Sequence, residues 1–99
     1  MAELLGNFEQ AVLLAIIRLR DKAYGRAILQ EIETRLGRDV AAGAVHATLE
    51  RLEAKGLVTS RLGSGTAIRA GRPRRYYQLE PAGVSALTAN RRRPGSGGP

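Results

Sequence analysis

Between Val40 and Val58 the large apolar residues Val45, Leu49 and Leu52 fall four and then three positions apart, and Gly56 follows them. That spacing puts all three on one side of a helix. A glycine just past the last turn suits a left-handed C′ position, with Leu57 folding back on the turn it closes. What comes next cannot continue as helix. Leu57–Leu62 reads as a short strand and Arg74–Leu79 as its return, with Tyr77 and Leu79 sharing a face by period-two alternation. Between them Gly63, Gly65, Gly71 and Pro73 predict a mobile tip that follows a surface and builds no core. The fold must therefore accommodate a one-faced helix running straight into a hairpin.

The hairpin is basic. From Ala54 to Gln78 there are six cations, Lys55, Arg61, Arg69, Arg72, Arg74 and Arg75, and no acid. Residues 1–53 carry a net charge of −1 and residues 54–99 a net of +8, within a chain of +7. Charge segregated in this way gives the field a direction and steers polyanions to one side. A solvated basic surface is the plain alternative, but the placement directly after a one-faced helix argues for phosphate. A membrane surface fits less well, because the cations lie among glycines, prolines and strand residues rather than along an amphipathic helix. A helix that offers its free face to a groove, followed by an arginine-rich wing, is the arrangement of a winged helix-turn-helix.

The N-terminal half supplies the supporting helices. Asn7 with Gln10 predicts a capping box for a first helix over about Phe8–Arg20. Phe8, Val12, Ile16 and Leu19 form one stripe, and Leu13, Leu14 and Ile17 form a second. Either the helix is buried on two sides by its own domain, or the second stripe meets a partner subunit. A second helix follows from about Tyr24 to Leu36, with Tyr24, Ile28, Ile32 and Leu36 at i+4 steps and Gly37 as its terminator. Asp39 is the expected cap of the third helix, since Ala41 and Ala42 have no side-chain oxygen. Pro81 opens a last helix whose large apolar residues are Val84 and Leu87.

The predicted fold class is thus mainly α with a small β-wing (α+β): a winged helix-turn-helix ordered helix, helix, helix, strand, strand, helix. Residues 1–88 are expected to form the domain, and residues 89–99 a basic, Gly/Pro-rich tail without order. The chain has no cysteine, so disulfides and thiolate metal sites are excluded. Its longest apolar run, Ala11–Ile17, is too short to span a bilayer, and no secretory signal is visible; the expected location is the cytoplasm. His46 is the one histidine, with no converging donors, so neither catalysis nor a metal or cofactor is expected. Gly63-Ser64-Gly65-Thr66 lacks the ending of a phosphate loop.

In order and spacing, the motifs of residues 4–88 resemble the PadR family of bacterial transcriptional regulators. They are Phe8-Glu9-Gln10, Ala23-Tyr24-Gly25, Gly43-Ala44-Val45, Thr48-Leu49-Glu50-Arg51-Leu52-Glu53, Lys55-Gly56-Leu57-Val58, Gly71-Arg72-Pro73-Arg74-Arg75-Tyr76-Tyr77-Gln78-Leu79 and Pro81-Ala82-Gly83. The resemblance implies a dimeric, repressor-type protein on a palindromic DNA operator. By position, Gly43, Val45, His46, Thr48 and Leu49 lie along the recognition helix, with its exposed members toward base edges. Lys55, Arg61, Arg69, Arg72, Arg74 and Arg75 are then expected on phosphate or the neighbouring minor groove, and Tyr24 at a phosphate beside the second helix. Leu13, Leu14, Ile17, Val84 and Leu87 are the expected dimer contacts.

Three departures stand out. The family usually has tyrosine where this chain has His46, and often serine where it has Ala41, a cap worth about 1 kcal/mol. Only ten residues separate Gly83 from Pro94, where the family carries a helical region for dimerisation and sensing. The family's small-molecule effector is therefore implied by the resemblance and opposed by that shortness, and a weaker dimer is expected. A different reading keeps the fold and changes the partner: the wing binds RNA or another protein, with Tyr76 and Tyr77 stacking on unpaired bases beside Arg74 and Arg75.

Overall fold

In the computed structural model the first helix, α1 (Asn7–Leu19), starts one residue before its apolar pattern does, and Glu9 is the reason. The cap is Gly6, not Asn7: the Glu9 carboxylate accepts from the Gly6 N–H at 3.0 Å, which closes the helix start one residue earlier than an Asn7–Gln10 box would. The structure describes residues 5–63, 68–69 and 72–92, and of Ile68, Arg69, Arg72, Pro73 and residues 90–92 the backbone alone. A 3-10 turn (Arg20–Lys22) leads to α2 (Gly25–Leu36), and α3 (Ala42–Ala54) follows. Strand β1 (Val58–Leu62) pairs antiparallel with β4 (Arg75–Leu79), Val58 opposite Leu79 and Leu62 opposite Arg75. Between them β2 (Ile68–Arg69) pairs with β3 (Arg72–Pro73), so part of the tip expected to be irregular forms a short ladder of its own. Residues 64–67 and 70–71, whose composition predicts mobility, lie outside the described residues. The last helix, α4 (Pro81–Arg92), runs past the boundary expected at residue 88.

The second and third helices end by the device their sequence carries. Gly37 takes φ 69° and donates to the Glu33 carbonyl at 2.8 Å. At the end of α3, Gly56 (φ 77°) donates to the Glu53 carbonyl and Leu57 to the Leu52 carbonyl, both at 3.0 Å. That is the paired closure that buries Leu57 under the helix it terminates. The start of α3 differs from expectation. Its cap is Ala41, with no side-chain bond, and Asp39 does not serve. The Glu33 carboxylate instead accepts from the Val40 N–H at 3.0 Å, fixing the turn from the end of α2.

One core joins the elements: Val12, Leu13 and Ile16 of α1, Ile28 and Ile32 of α2, Val45, Leu49 and Leu52 of α3, then Leu57, Val58, Tyr77 and Leu87. Full burial of each such side chain favours folding by roughly 1.5–3 kcal/mol. Leu13 is 0% exposed and Leu87 5%, so both are spent inside their own chain and present no surface to a partner. Of the second stripe only Ile17, 46% exposed, faces outward fully, while Leu14 is half-buried. Gly83 lies so close to the hairpin that a Cβ there would overlap the Leu57 carbonyl oxygen and sit 3.1 Å from Leu79 Cγ. No helix among the described residues is long and apolar enough to cross a membrane, and among them no cluster of potential metal ligands occurs.

An ion cluster ties the start of α1 to the end of α3. Glu9 Oε2 lies 3.1 Å from Lys55 Nζ and 3.5 Å from Arg51 Nε. Burial pushes the Glu9 carboxyl up, but the Gly6 N–H, Lys55 and Arg51 together outweigh it, and its pKa falls below the ordinary value. A depressed carboxylate stabilises the fold above its unfolded pKa of about 4.3 and loses that contribution as pH drops through the folded value. Glu9→Gln should therefore cost about 1–3 kcal/mol at pH 7. The gap to the native protein should close on acidification below about pH 4. Urea unfolding across that range measures it; a gap that stayed constant or widened in acid would rule out the charged form as the source.

Candidate nucleic-acid interface

The third helix divides its surface by position. Val45, Thr48, Leu49 and Leu52 are buried, whereas Ala42, Gly43, His46, Ala47 and Glu50 form a continuous exposed strip. Of the residues placed along the recognition helix, Gly43 and His46 face outward. Val45 and Leu49 lie on the apolar face that their spacing predicts, and Thr48, expected to avoid that face, joins it at 2% exposure. Thr48 lies three residues after Val45 and four before Leu52, on the inward side of the helix. Its hydroxyl accepts from Arg51 Nη2 at 3.3 Å, so the polar group is satisfied without water. His46, with a side chain 68% exposed, meets the Glu50 carboxylate at 3.2 Å one turn on. The strip is otherwise made of alanine and glycine, over which another molecule can approach the helix backbone closely.

A second group of side chains assembles where the wing meets α2. Just before that helix Tyr24 is extended, and it meets β4 in an isolated bridge: Tyr24 bridges to Tyr76, and Tyr77 N–H donates to the Ala23 carbonyl at 2.8 Å. This brings the two rings together edge to face, with centroids 5.6 Å apart. Arg74 lies over the Tyr24 ring at 4.1 Å, and Arg61 over the Tyr76 ring at 5.5 Å. Guanidinium on ring, ring on ring, guanidinium on ring: the row holds two arginines in place while leaving their N–H groups free for an anion. Gly63 makes room for it, since a Cβ there would come within 2.7 Å of Tyr76 Cε1.

Arg75 is held differently. It donates to Ser60 Oγ at 3.0 Å, and Ser60 in turn donates to Glu53 at 2.8 Å. Tyr77 is buried, as its strand alternation predicts, and burial raises its pKa despite the neighbouring Arg75. Lys55 corrects an expectation: its amine is engaged with Glu9, so it serves the fold rather than a phosphate. Arg69 and Arg72 have backbones in the short β2–β3 ladder, and their side chains lie outside the described residues.

The structure also adds members that sequence reasoning misses. Arg26, in the first turn of α2, lines a cleft with Tyr24, Gly25, Gln30, Arg74 and Arg75. It lines a second groove with Leu29, Ala42, His46, Arg75 and Tyr77, between α2, α3 and the hairpin. A signal for it is present in the chain. A cation in the first turn opposes the helix dipole, and no acid stands there to offset it. Such local conflict is commonest where function requires it.

Comparison with known proteins accords with this geometry. The family model described as the transcriptional regulator PadR-like family matches residues 13–89. A protein named transcriptional regulator Rv3488, from Mycobacterium tuberculosis, is 40% identical over 72 residues, covering 73% of this chain and 63% of the relative. The chain thus spans less than two thirds of that relative's length. Among solved structures, a PadR family transcriptional regulator from Eggerthella lenta aligns with a TM-score of 0.61 at 29% identity, over 79% of this chain and 65% of that one. A PadR-like transcription factor from Bacteroides fragilis aligns with a TM-score of 0.66 at 28% identity, over 83% and 74% of the two chains. With the family model spanning most of the chain and the winged fold shared with these regulators, the chain belongs to the PadR-like family of transcriptional regulators.

Proposed function

We propose that the chain binds duplex DNA sequence-specifically as a homodimer and represses transcription from a palindromic operator, in the cytoplasm. The observation that carries this is the strip Ala42, Gly43, His46 and Ala47 on α3, flanked by arginines from two other elements, Arg26 of α2 and Arg74 and Arg75 at the wing. A helix with small side chains and one long polar one can enter a major groove, while the flanking guanidinium groups take the phosphates on either side. The competing reading, a wing that stacks on unpaired bases, needs free aromatic faces. Tyr77 is in the core, and Tyr76 has Arg61 over its ring and Tyr24 at its edge, which favours the duplex. Competition of a labelled duplex against single strands and structured RNA tests the choice; preference for either competitor would reverse it.

Binding should weaken steeply with salt. Each neutralised phosphate contributes about −0.9 to the slope of log K against log salt, and a dimer should show a slope magnitude of at least about 4. Replacing Arg74 and Arg75 together with alanine should weaken all duplexes alike and flatten that slope. A native slope near zero would exclude nucleic acid as the partner.

His46→Ala should act on discrimination instead. We expect the ratio of specific to non-specific binding to fall by about 1–3 kcal/mol for each base the side chain reads. Thr48→Ala provides the contrast, because a core side chain should change stability and leave the selected consensus alone. An unchanged consensus and ratio for His46→Ala would count against groove entry by α3.

For the dimer, the expected contacts that stay accessible to a second copy are Ile17 and Val84, 46% and 51% exposed, while Leu14 is half-buried. Sedimentation should show a native dimer that dissociates on dilution, and Ile17→Glu should be monomeric at concentrations where the native protein is not. A native protein that stayed monomeric at every concentration, free and on a palindromic duplex, would remove the dimer from the proposal.

A further inference from the structure

We propose that Arg26 is a phosphate-binding residue, the third member of an arginine clamp with Arg74 and Arg75 that grips one strand of the duplex beside α3; this rests on the duplex-binding reading above. Three observations converge on it. First, Arg26 and Arg75 line both spaces at this face, the cleft next to Tyr24 and the groove next to His46, so they stand at the boundary between them. A strand lying along that face passes between these two side chains. Second, the clefts that Arg26 lines have no acidic side chain among their lining residues, whereas four other cations are paired with carboxylates: Arg18 and Arg35 meet Glu31, and Arg51 and Lys55 meet Glu9. Third, Arg26 is exposed in the first turn of α2, where the helix dipole disfavours a cation. Its charge is thus a cost to the isolated helix that an anionic partner removes.

The division of labour follows from how each arginine is held. Arg74 rests on the Tyr24 ring, and Arg75 is braced through Ser60 to Glu53, so both are oriented before any partner arrives. Among the described residues no hydrogen bond or ion pair to Arg26 is seen, which leaves its whole fork for the phosphate. A planar guanidinium can meet two phosphate oxygens with two parallel N–H donors, a fixed fork that lysine lacks.

The test compares the native protein with Arg26→Ala, Arg26→Lys and Arg35→Ala on a labelled random-sequence duplex and on a duplex recovered by selection, across a salt series. Arg35 is the charge-matched control. It lies nine residues further along α2, more than a screening length of about 8 Å at physiological salt from Arg26. Arg26→Ala should bind both duplexes roughly 10-fold more weakly, the size of one charge-assisted hydrogen bond. Its slope magnitude should fall by about 0.9 for each phosphate that is no longer neutralised. Arg26→Lys should recover part of the affinity, and Arg35→Ala should match the native protein. Thermal unfolding should show Arg26→Ala melting no lower than the native protein, which separates weakened binding from a weakened fold. An Arg26→Ala that tracks Arg35→Ala, while the native slope stays steep, overturns the clamp and leaves duplex binding standing. A change of selected consensus instead of a uniform loss also overturns it, by making Arg26 a base reader. A shallow native slope removes the duplex-binding reading and the clamp together.

Discussion

Two residues just before α2, Ala23 and Tyr24, determine how the wing and the second helix meet. A two-stranded hairpin is marginal by itself in water, and β1 with β4 is braced by this segment through the Tyr24–Tyr76 bridge and the bond from Tyr77 N–H to the Ala23 carbonyl. Because α2 begins at the next residue, the same pairing sets the start of that helix against the wing. The Tyr24 ring is then carried onto Tyr76, and Arg74 onto Tyr24. Were this short segment unpaired instead, the arginines of the hairpin and those of α2 would have no fixed relation.

Net charge alone says little about which cations face a partner. The chain spends Arg51 and Lys55 on Glu9, and Arg18 and Arg35 on Glu31. These pairs hold helix to helix or support a single helix. Arg74 and Arg61 instead lie over neutral rings, and Arg75 bonds to a hydroxyl. Such neighbours orient a guanidinium without neutralising it, so the field of the basic half of the chain is concentrated where side chains are held yet uncompensated.

Much of the fold is legible in the chain because its signals are local. The apolar spacing of Ile28 and Ile32, or of Val45, Leu49 and Leu52, places each helix and its buried face, and Gly37 and Gly56 mark the ends. Two positions show where spacing stops being decisive. Thr48 stands close enough to the edge of the apolar face for either side, and its offset from Val45 and Leu52 turns it inward; Leu13 belongs to a second stripe that fits either a partner or its own domain, and its own core takes it. The remaining departures are not legible at all. Lys55 meets Glu9 across 46 positions, and the turn before α3 is fixed by Glu33 at the Val40 amide while Asp39 leaves the helix start without a side-chain cap. Pairings of that kind depend on how helices cross, which no local pattern encodes. At the interface, the sequence draws attention to His46, Arg74 and Arg75 and passes over Arg26, whose conflict with the helix dipole is a local signal.

The close seat of Gly83 on Leu57 has a mechanical consequence. The Leu57 carbonyl takes the Glu80 N–H at 2.9 Å and has no room for even a methyl group at Gly83, while the Leu57 amide closes the final turn of α3 onto the Leu52 carbonyl. One residue thus serves as the bearing for two helices, with no slack between them. A twist applied to α4 reaches α3 within a single residue, which makes the fourth helix a crank on the third.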